Sequence, residues 1–247
     1  MFLLFLFPFF IGIAIGVTGI GGILTIPALM LLTDVTPRMA MGTVLASLFL
    51  TSIIGTLNFR AMNALDEKIW KPLCISGFPA AFAGVWFNSL LPSSLLLFLL
   101  GTITIIAGLG ALHTWRTLFR FNIETSPHRP ELTAATGALA GLMAGLTGAG
   151  GPVLSIPILI TLGLPPFPAV ASGMPFQLAT SAAGSAANLL HGNINCPLLI
   201  PVSVALALGV VIGNRLAPHV PSAILKKTIS LFCLFTGFIQ CIRTVLQ

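Results

Sequence analysis

Charge is scarce in this sequence: of 247 residues only 6% are Asp, Glu, Lys or Arg, and the acids total 5. A soluble domain averages roughly 25% charged residues, because its surface has to meet water. A soluble protein is therefore excluded. None of the acids (Asp34, Asp66, Glu67, Glu124, Glu131) falls deep inside an apolar run, which argues against the buried carboxylate relay common in proton-coupled pumps. Cys74, Cys196, Cys233 and Cys241 form no CxxC and have no histidine at ligand spacing. They read as small apolar residues, and no metal site is expected. Catalytic signatures are missing too: there is no HExxH and no GxSxG, and Ser172 has no base beside it. Without a Walker A motif the chain does not hydrolyse ATP as a P-loop enzyme. No catalytic residue and no cofactor is expected. Met1 to Phe10 contain no Lys or Arg, so the charged start of a signal peptide is lacking and this stretch reads as the first membrane segment.

What fills the chain is apolar: 56% of residues are hydrophobic and the mean hydropathy is +1.07. At about 20 residues per crossing, a chain of this length allows roughly seven to ten transmembrane helices. Transmembrane barrels need alternating strands of about ten residues, which these unbroken runs do not offer. The fold class is an all-α polytopic membrane protein. Eight apolar segments stand out, at about 2–33, 38–60, 70–91, 93–118, 132–162, 168–190, 196–217 and 220–244. The net charge of +6 sits in the connections, where basic residues fix topology instead of forming a phosphate-binding stripe. The expected partners are the lipid bilayer and a small solute, not nucleic acid; self-association into a homo-oligomer is left open.

The segments repeat. Gly16-Val17-Thr18-Gly19-Ile20-Gly21-Gly22, followed by Pro27, recurs 129 residues later as Gly145-Leu146-Thr147-Gly148-Ala149-Gly150-Gly151, followed by Pro157. Thr51-Ser52-x-x-Gly55 recurs as Thr180-Ser181-x-x-Gly184, and Asn58 and Asn188 end the two stretches. Weaker matches pair Pro72 with Pro197, Gly84 with Gly209, Pro92 with Pro221 and Gly108 with Gly237. The colinear set divides the chain into repeat 1 (1–120), a polar linker (121–131) and repeat 2 (132–247). Duplicated halves are typical of transporters, whose sites lie at the repeat interface.

Loop charge points to inversion. In the first half Arg60, Lys68 and Lys71 follow the second segment and the next connection is uncharged; in the second half the uncharged loop comes first and Arg215, Lys226 and Lys227 follow. Equivalent loops then face opposite sides, which requires an odd number of crossings per half. A first segment that breaks at its glycines and returns to its starting side, followed by three full helices, meets that requirement. The linker with Arg116, Arg120 and Arg129 is then cytoplasmic and both termini are outside. Eight plain spans in a parallel arrangement would put both termini inside.

Glycine costs about 1 kcal/mol relative to alanine inside a helix, and freed backbone is tolerated at membrane depth only where protein or a wet cavity satisfies it. Four glycines in seven residues, twice, therefore mark unwound backbone lining a cavity. The N–H groups opening the next half-helix suit an anion. Gly16, Thr18, Gly19, Gly21 and Gly22 with Gly145, Thr147, Gly148, Gly150 and Gly151 form the candidate binding set. The two threonines offer hydroxyl donors, and Pro27 and Pro157 act as hinges. Gln177, Asn58 and Asn188, whose amides are costly to leave unpaired in lipid, are supporting donors. Thr51, Ser52, Thr180 and Ser181 read as structural, bonded to their own backbone or to a neighbour. The simpler account of the glycines is close helix approach, as in small-xxx-small patterns. His113 and His191 read as interfacial and Arg215 as a snorkelling anchor. An anion channel of the same build, a carrier of small carboxylates and a non-transporting scaffold are the alternatives to a transporter.

The duplicated GxTGxGG, each copy followed by a Pro and a Thr/Ser/Gly-containing helix, resembles the sulfite exporter TauE/SafE family, also called TSUP. The resemblance covers nearly the whole chain. It implies transport of a sulfur-containing oxyanion, an organosulfonate such as sulfoacetate, or a small organic acid across the bacterial cytoplasmic membrane. The signature falls on Gly16, Thr18, Gly19, Gly21, Gly22 and Pro27 and on Gly145, Thr147, Gly148, Gly150, Gly151 and Pro157. Members sharing it carry different compounds, so it does not select the substrate.

Overall fold

The computed structural model describes residues 2–88, 90, 92, 95, 98, 101–102, 105, 108–109 and 129–245. Among the described residues every regular element is a helix. The chain runs α1 (Phe2–Thr18), α2 (Gly22–Leu32), α3 (Pro37–Ala61), α4 (Glu67–Asn88), α5 (Arg129–Thr147), α6 (Pro152–Thr161), α7 (Pro166–Leu190), α8 (Cys196–Leu216), a 3-10 turn (Ala217–His219) and α9 (Ser222–Val245). The first apolar segment is thus two helices, as is the fifth. Most of the fourth segment and of the 121–131 linker lies outside the described residues, and Arg129 to Glu131 already form the first turn of α5.

Helix starts follow local chemistry. Pro37 opens α3 with its fixed φ and missing N–H, after Thr36 whose hydroxyl accepts the Met39 N–H at 3.4 Å. Pro152 and Pro166 open α6 and α7 in the same way. Asn195 caps α8 by accepting the Leu198 N–H at 3.2 Å. Asp66 accepts the Lys68 N–H at 2.9 Å at the start of α4.

Packing joins helices distant in sequence. Gly12 of α1 lies against Leu206 and Gly209 of α8, and Gly16 against Val210, Gly213 and Asn214. Both series of numbers rise together, so α1 and α8 are parallel. In the same manner Gly137, Gly141 and Gly145 of α5 lie against Leu73, Gly77 and Ala81 of α4. These are small-xxx-small contacts in which backbones touch. The central pair, α3 and α7, is antiparallel: Gly42 meets Asn188 and Asn193, Leu45 meets Gly184, Gly55 meets Met174 and Phe59 packs edge-to-face with Phe167. α8 runs parallel to α3, since Thr43 accepts the Asn195 N–H at its start and Gly55 faces Val210 and Asn214 further along.

Basic residues gather at one end of the bundle: Arg60 closes α3, Lys68 and Lys71 open α4, Arg129 opens α5 and Arg215 closes α8. Arg129 pairs with Asp66 there, joining the α3–α4 turn to the start of α5. Arg38 stands at the opposite end, in the first turn of α3.

Polarity is distributed inside out. Thr43, Ser47, Thr51, Ser52, Gln177 and Thr180 are buried, whereas Phe10, Leu57, Ile75, Trp86, Ile200 and Phe238 are exposed. Such an apolar exterior needs lipid or another apolar cover. The buried hydroxyls bond down their own helices: Thr43 donates to the Met39 carbonyl, Ser47 to Thr43 and Thr51 to Ser47, at 2.7 to 2.9 Å. Among the described residues two helices, Pro37–Ala61 and Cys196–His219, are by length and composition able to cross a bilayer.

Candidate functional site

The two glycine motifs break their helices by the same local geometry. α1 stops at Thr18 and α5 at Thr147; Gly19 and Gly148 follow in the left-handed region, with φ of 73° and 70°. There any side chain is strained. Their N–H groups donate back to the Ile15 and Ala144 carbonyls at 2.7 and 2.9 Å, which ends each helix with a left-handed cap. The first chain then reverses: Gly21 lies against Ile11 and Ile15 of its own α1. A continuous helix would carry position 21 about 15 Å beyond position 11.

The threonines hold these breaks. Thr18 is buried; its hydroxyl reaches the Ala14 and Ile20 carbonyls at 2.7 and 3.0 Å and accepts the Ile20 N–H at 3.1 Å. Thr147 donates to the Met143 carbonyl at 2.6 Å and accepts the Ala149 N–H at 3.4 Å. A hydroxyl has one proton, and here it goes to the backbone. Thr18→Val is therefore expected to destabilise the fold by about 1–3 kcal/mol, since the buried Ile20 N–H loses its acceptor, while Thr18→Ser stays near wild type. Thermal unfolding of the two variants checks this.

The breaks meet. A methyl group on Gly22 would sit 2.6 Å from the Ala149 carbonyl oxygen, and one on Gly19 would strike the Ile156 side chain of α6. Gly148 is filled by Met41 and Gly151 by the Phe176 ring. Gly16 and Gly145 face other helices, as described above. Gly150 (φ 82°) differs from all of these: a methyl there would lie 3.3 Å from Leu48 Cδ1, 3.8 Å from Gln177 Oε1 and 3.9 Å from Pro152 Cδ. Among the motif glycines it alone fronts space of that width. Gln177 is only 2% exposed and its Nε2 has no hydrogen-bond partner. An unmade amide hydrogen bond at that depth is costly; the Gln177 side chain lies beside Gly150, just before α6 begins with Pro152 in its first turn.

Four further hydroxyls, those of Thr25, Ser155, Ser172 and Ser203, are buried and without partners among the described residues. The first two occupy matching places on α2 and α6, in Leu24-Thr25-Ile26-Pro27 and Leu154-Ser155-Ile156-Pro157. This repeated Leu-Thr/Ser-Ile-Pro is the sequence signal that marks them. Pro157 lies at the sixth position of α6 and Pro27 at the sixth of α2; the Pro27 side chain is outside the described residues. Asn58 and Asn188 are not brought together. Asn188 donates to the Gly184 carbonyl at 2.8 Å near the start of α3, whereas Asn58 lies near its end, its Nδ2 unpartnered. Asn58 is level with the Phe167–Met174 stretch of α7, and Asn188 stands 14 positions past Met174. At 1.5 Å per residue that is about 20 Å or more.

Fold and site together define a helical membrane protein with two broken helices meeting at a buried, glycine-lined centre. The chain belongs to the sulfite exporter TauE/SafE family, whose sequence profile matches residues 4–239. Among its relatives are Bacillus subtilis (strain 168) proteins named probable membrane transporter protein YdhB, 27% identical over 96% of this chain and 98% of the relative, and probable membrane transporter protein YunE, 26% identical over 85% and 84%. A Sinorhizobium fredii (strain NBRC 101917 / NGR234) protein named probable membrane transporter protein y4hK is 32% identical over 60% of this chain and 58% of its own. No solved structure matches.

Proposed function

We propose that the protein is a multi-pass secondary transporter of the bacterial cytoplasmic membrane that carries a small anion by alternating access, the anion lying in the space before Gly150. The observation that carries this reading is the Gln177 amide, buried and unpartnered beside Gly150, the motif glycine least crowded by its neighbours. The start of α6 adds the positive end of a helix dipole. Among the described residues no Asp or Glu is buried to repel an anion. The family's description favours a sulfur-containing oxyanion or an organosulfonate as the substrate. Purified protein in sealed vesicles is expected to give saturable uptake and counterflow of sulfite, a sulfonate or a short carboxylate. Conductance far above carrier turnover, or no flux of any anion, would sink the proposal.

The mechanism rests on two inverted repeats. Helix lengths of 17, 11, 25 and 22 residues in α1 to α4 are followed by 19, 10, 25 and 21 in α5 to α8. The cross-pairs α4 with α5 and α8 with α1 correspond under the same matching. The equivalent helices α3 and α7 run in opposite directions, as a two-fold axis lying in the membrane plane requires. Rocking one half against the other would expose the centre to each side in turn. The basic end of the bundle is the cytoplasmic one by the positive-inside rule, so both termini are expected outside. Impermeant labelling of a cysteine added at each terminus tests this: protection of either from the outside contradicts the topology.

A further inference from the structure

A cavity of about 680 Å³ lies between α3, α4 and α7, with none of the motif glycines in its lining. Its charged lining, Arg60, Glu67 and Lys71, stands at one end together with Asn63, and Thr56, its hydroxyl buried and unpartnered, lies one turn before Arg60 on α3. The rest of the lining, with Cys74, Phe78, Pro175, Leu178, Ala179 and Ala182, is apolar. Along α4 the change from Glu67 to Phe78 takes 11 residues, or about 16 Å, close to the roughly 15 Å depth of one leaflet's hydrocarbon. Trp70 lines the boundary between the two regions, as aromatic residues do at membrane interfaces. Phe78 is 48% exposed, so the apolar part is open sideways.

The charges at the mouth do not cancel. Lys71 is paired with Glu67 at 2.5 Å, and Asp66 with Arg129. Among the described residues the Arg60 and Lys68 side chains have no ion-pair partner. Both are exposed at the basic end of the bundle. A free guanidinium above an apolar trough one leaflet deep matches neither a small soluble oxyanion, which would leave most of the cavity unfilled, nor a neutral lipid. It matches a phosphate attached to a hydrocarbon chain, and basic pockets between membrane helices hold anionic headgroups in this way.

We propose that this groove is a binding site for an anionic phospholipid, its headgroup phosphate on Arg60 beside the Lys71–Glu67 pair and one acyl chain along Cys74, Phe78 and Ala182. The site is independent of what the glycine centre carries.

The test uses the full chain, purified in detergent and mixed with phosphatidylglycerol or phosphatidylcholine, with bound lipid counted by native mass spectrometry and thermal unfolding followed in parallel. Phosphatidylglycerol is expected to be retained and to stabilise, phosphatidylcholine to do neither. Arg60→Gln is expected to weaken phosphatidylglycerol retention about fivefold. Ala182→Phe keeps every charge but fills the trough and is expected to abolish retention; unfolding in lipid-free detergent shows whether each variant is folded. Equal retention of the two lipids, or retention unchanged in both variants, overturns the proposal. So does stabilisation by inorganic phosphate or methanesulfonate that depends on Arg60 and survives Ala182→Phe, because the cavity would then be a vestibule for a soluble anion.

Discussion

Gln177→Leu is expected to lower anion flux in sealed vesicles by tenfold to about a hundredfold while leaving the protein folded and at least as stable as the parent. The two readouts move apart for one physical reason. Leucine fills similar space, and it removes a buried amide whose Nε2 has no partner in the unliganded protein, so a desolvation penalty is relieved. With an anion present the same amide supplies a hydrogen bond to a charged group, typically about 1.5–3 kcal/mol, and that is what the variant loses. A residue needed only for structure would show the reverse, with reduced stability and flux falling only as folded protein falls. Full flux in Gln177→Leu would remove the amide from the site.

Gly145→Val is expected to prevent the folded protein from accumulating. A Cβ at this position would lie 2.0 Å from the Ala81 carbonyl oxygen and 2.9 Å from the Val85 nitrogen, both of them backbone atoms. Rotamer changes cannot relieve such a clash. α4 and α5 must separate, breaking the run of contacts from Gly137 to Gly145. Overpacking of well-fitted cores typically costs about 1–3 kcal/mol and at times more; here even alanine is expected at the upper end. Gly192→Ala, with positive φ but nothing within 4 Å of its Cβ, is the control, and it should lower stability by only about 1 kcal/mol. Gly150→Ala is the informative contrast: its nearest contact is the end of the flexible Leu48 side chain at 3.3 Å, so it should fold and obstruct transport. Detergent-solubilised yield and unfolding temperature rank the three.

Much of the helical layout could be read from the sequence, because Gly and Pro punctuate it. The seven residues from Gly16 and from Gly145 are where helices end, and the segments expected at 38–60, 168–190 and 196–217 match α3, α7 and α8 to within two residues. Pairing across the chain could not be read. A glycine in a membrane helix shows that something approaches, not what; Gly16 and Gly145 are engaged by the backbones of α8 and α4, while Gly150, five positions on from Gly145, meets only side-chain atoms, the nearest at 3.3 Å. Thr18 and Thr147 show the same limit. A sequence displays a hydroxyl but not which acceptor takes its proton, and both go to backbone carbonyls that the helix break leaves nearby.

Asn58 and Asn188 separate for a geometrical reason. When two equivalent helices pack antiparallel, corresponding residues near the crossing centre come close, and those toward the ends diverge by twice their distance from it. Similar sequence environments thus placed the two amides at opposite ends of the α3–α7 pair. Thr25 and Ser155, by contrast, sit on short helices that both start at the centre, so their repetition two residues before a proline is spatially meaningful.

Leu48 and Gln177 flank the space before Gly150, and they are separated by the same 129 residues that relate the two motifs. One half contributes a methyl and the other an amide from corresponding places. The two positions correspond in sequence, but their chemistry differs. A solute in that space meets an oily wall on one side and a hydrogen-bonding wall on the other, so a molecule with unlike ends fits one way round.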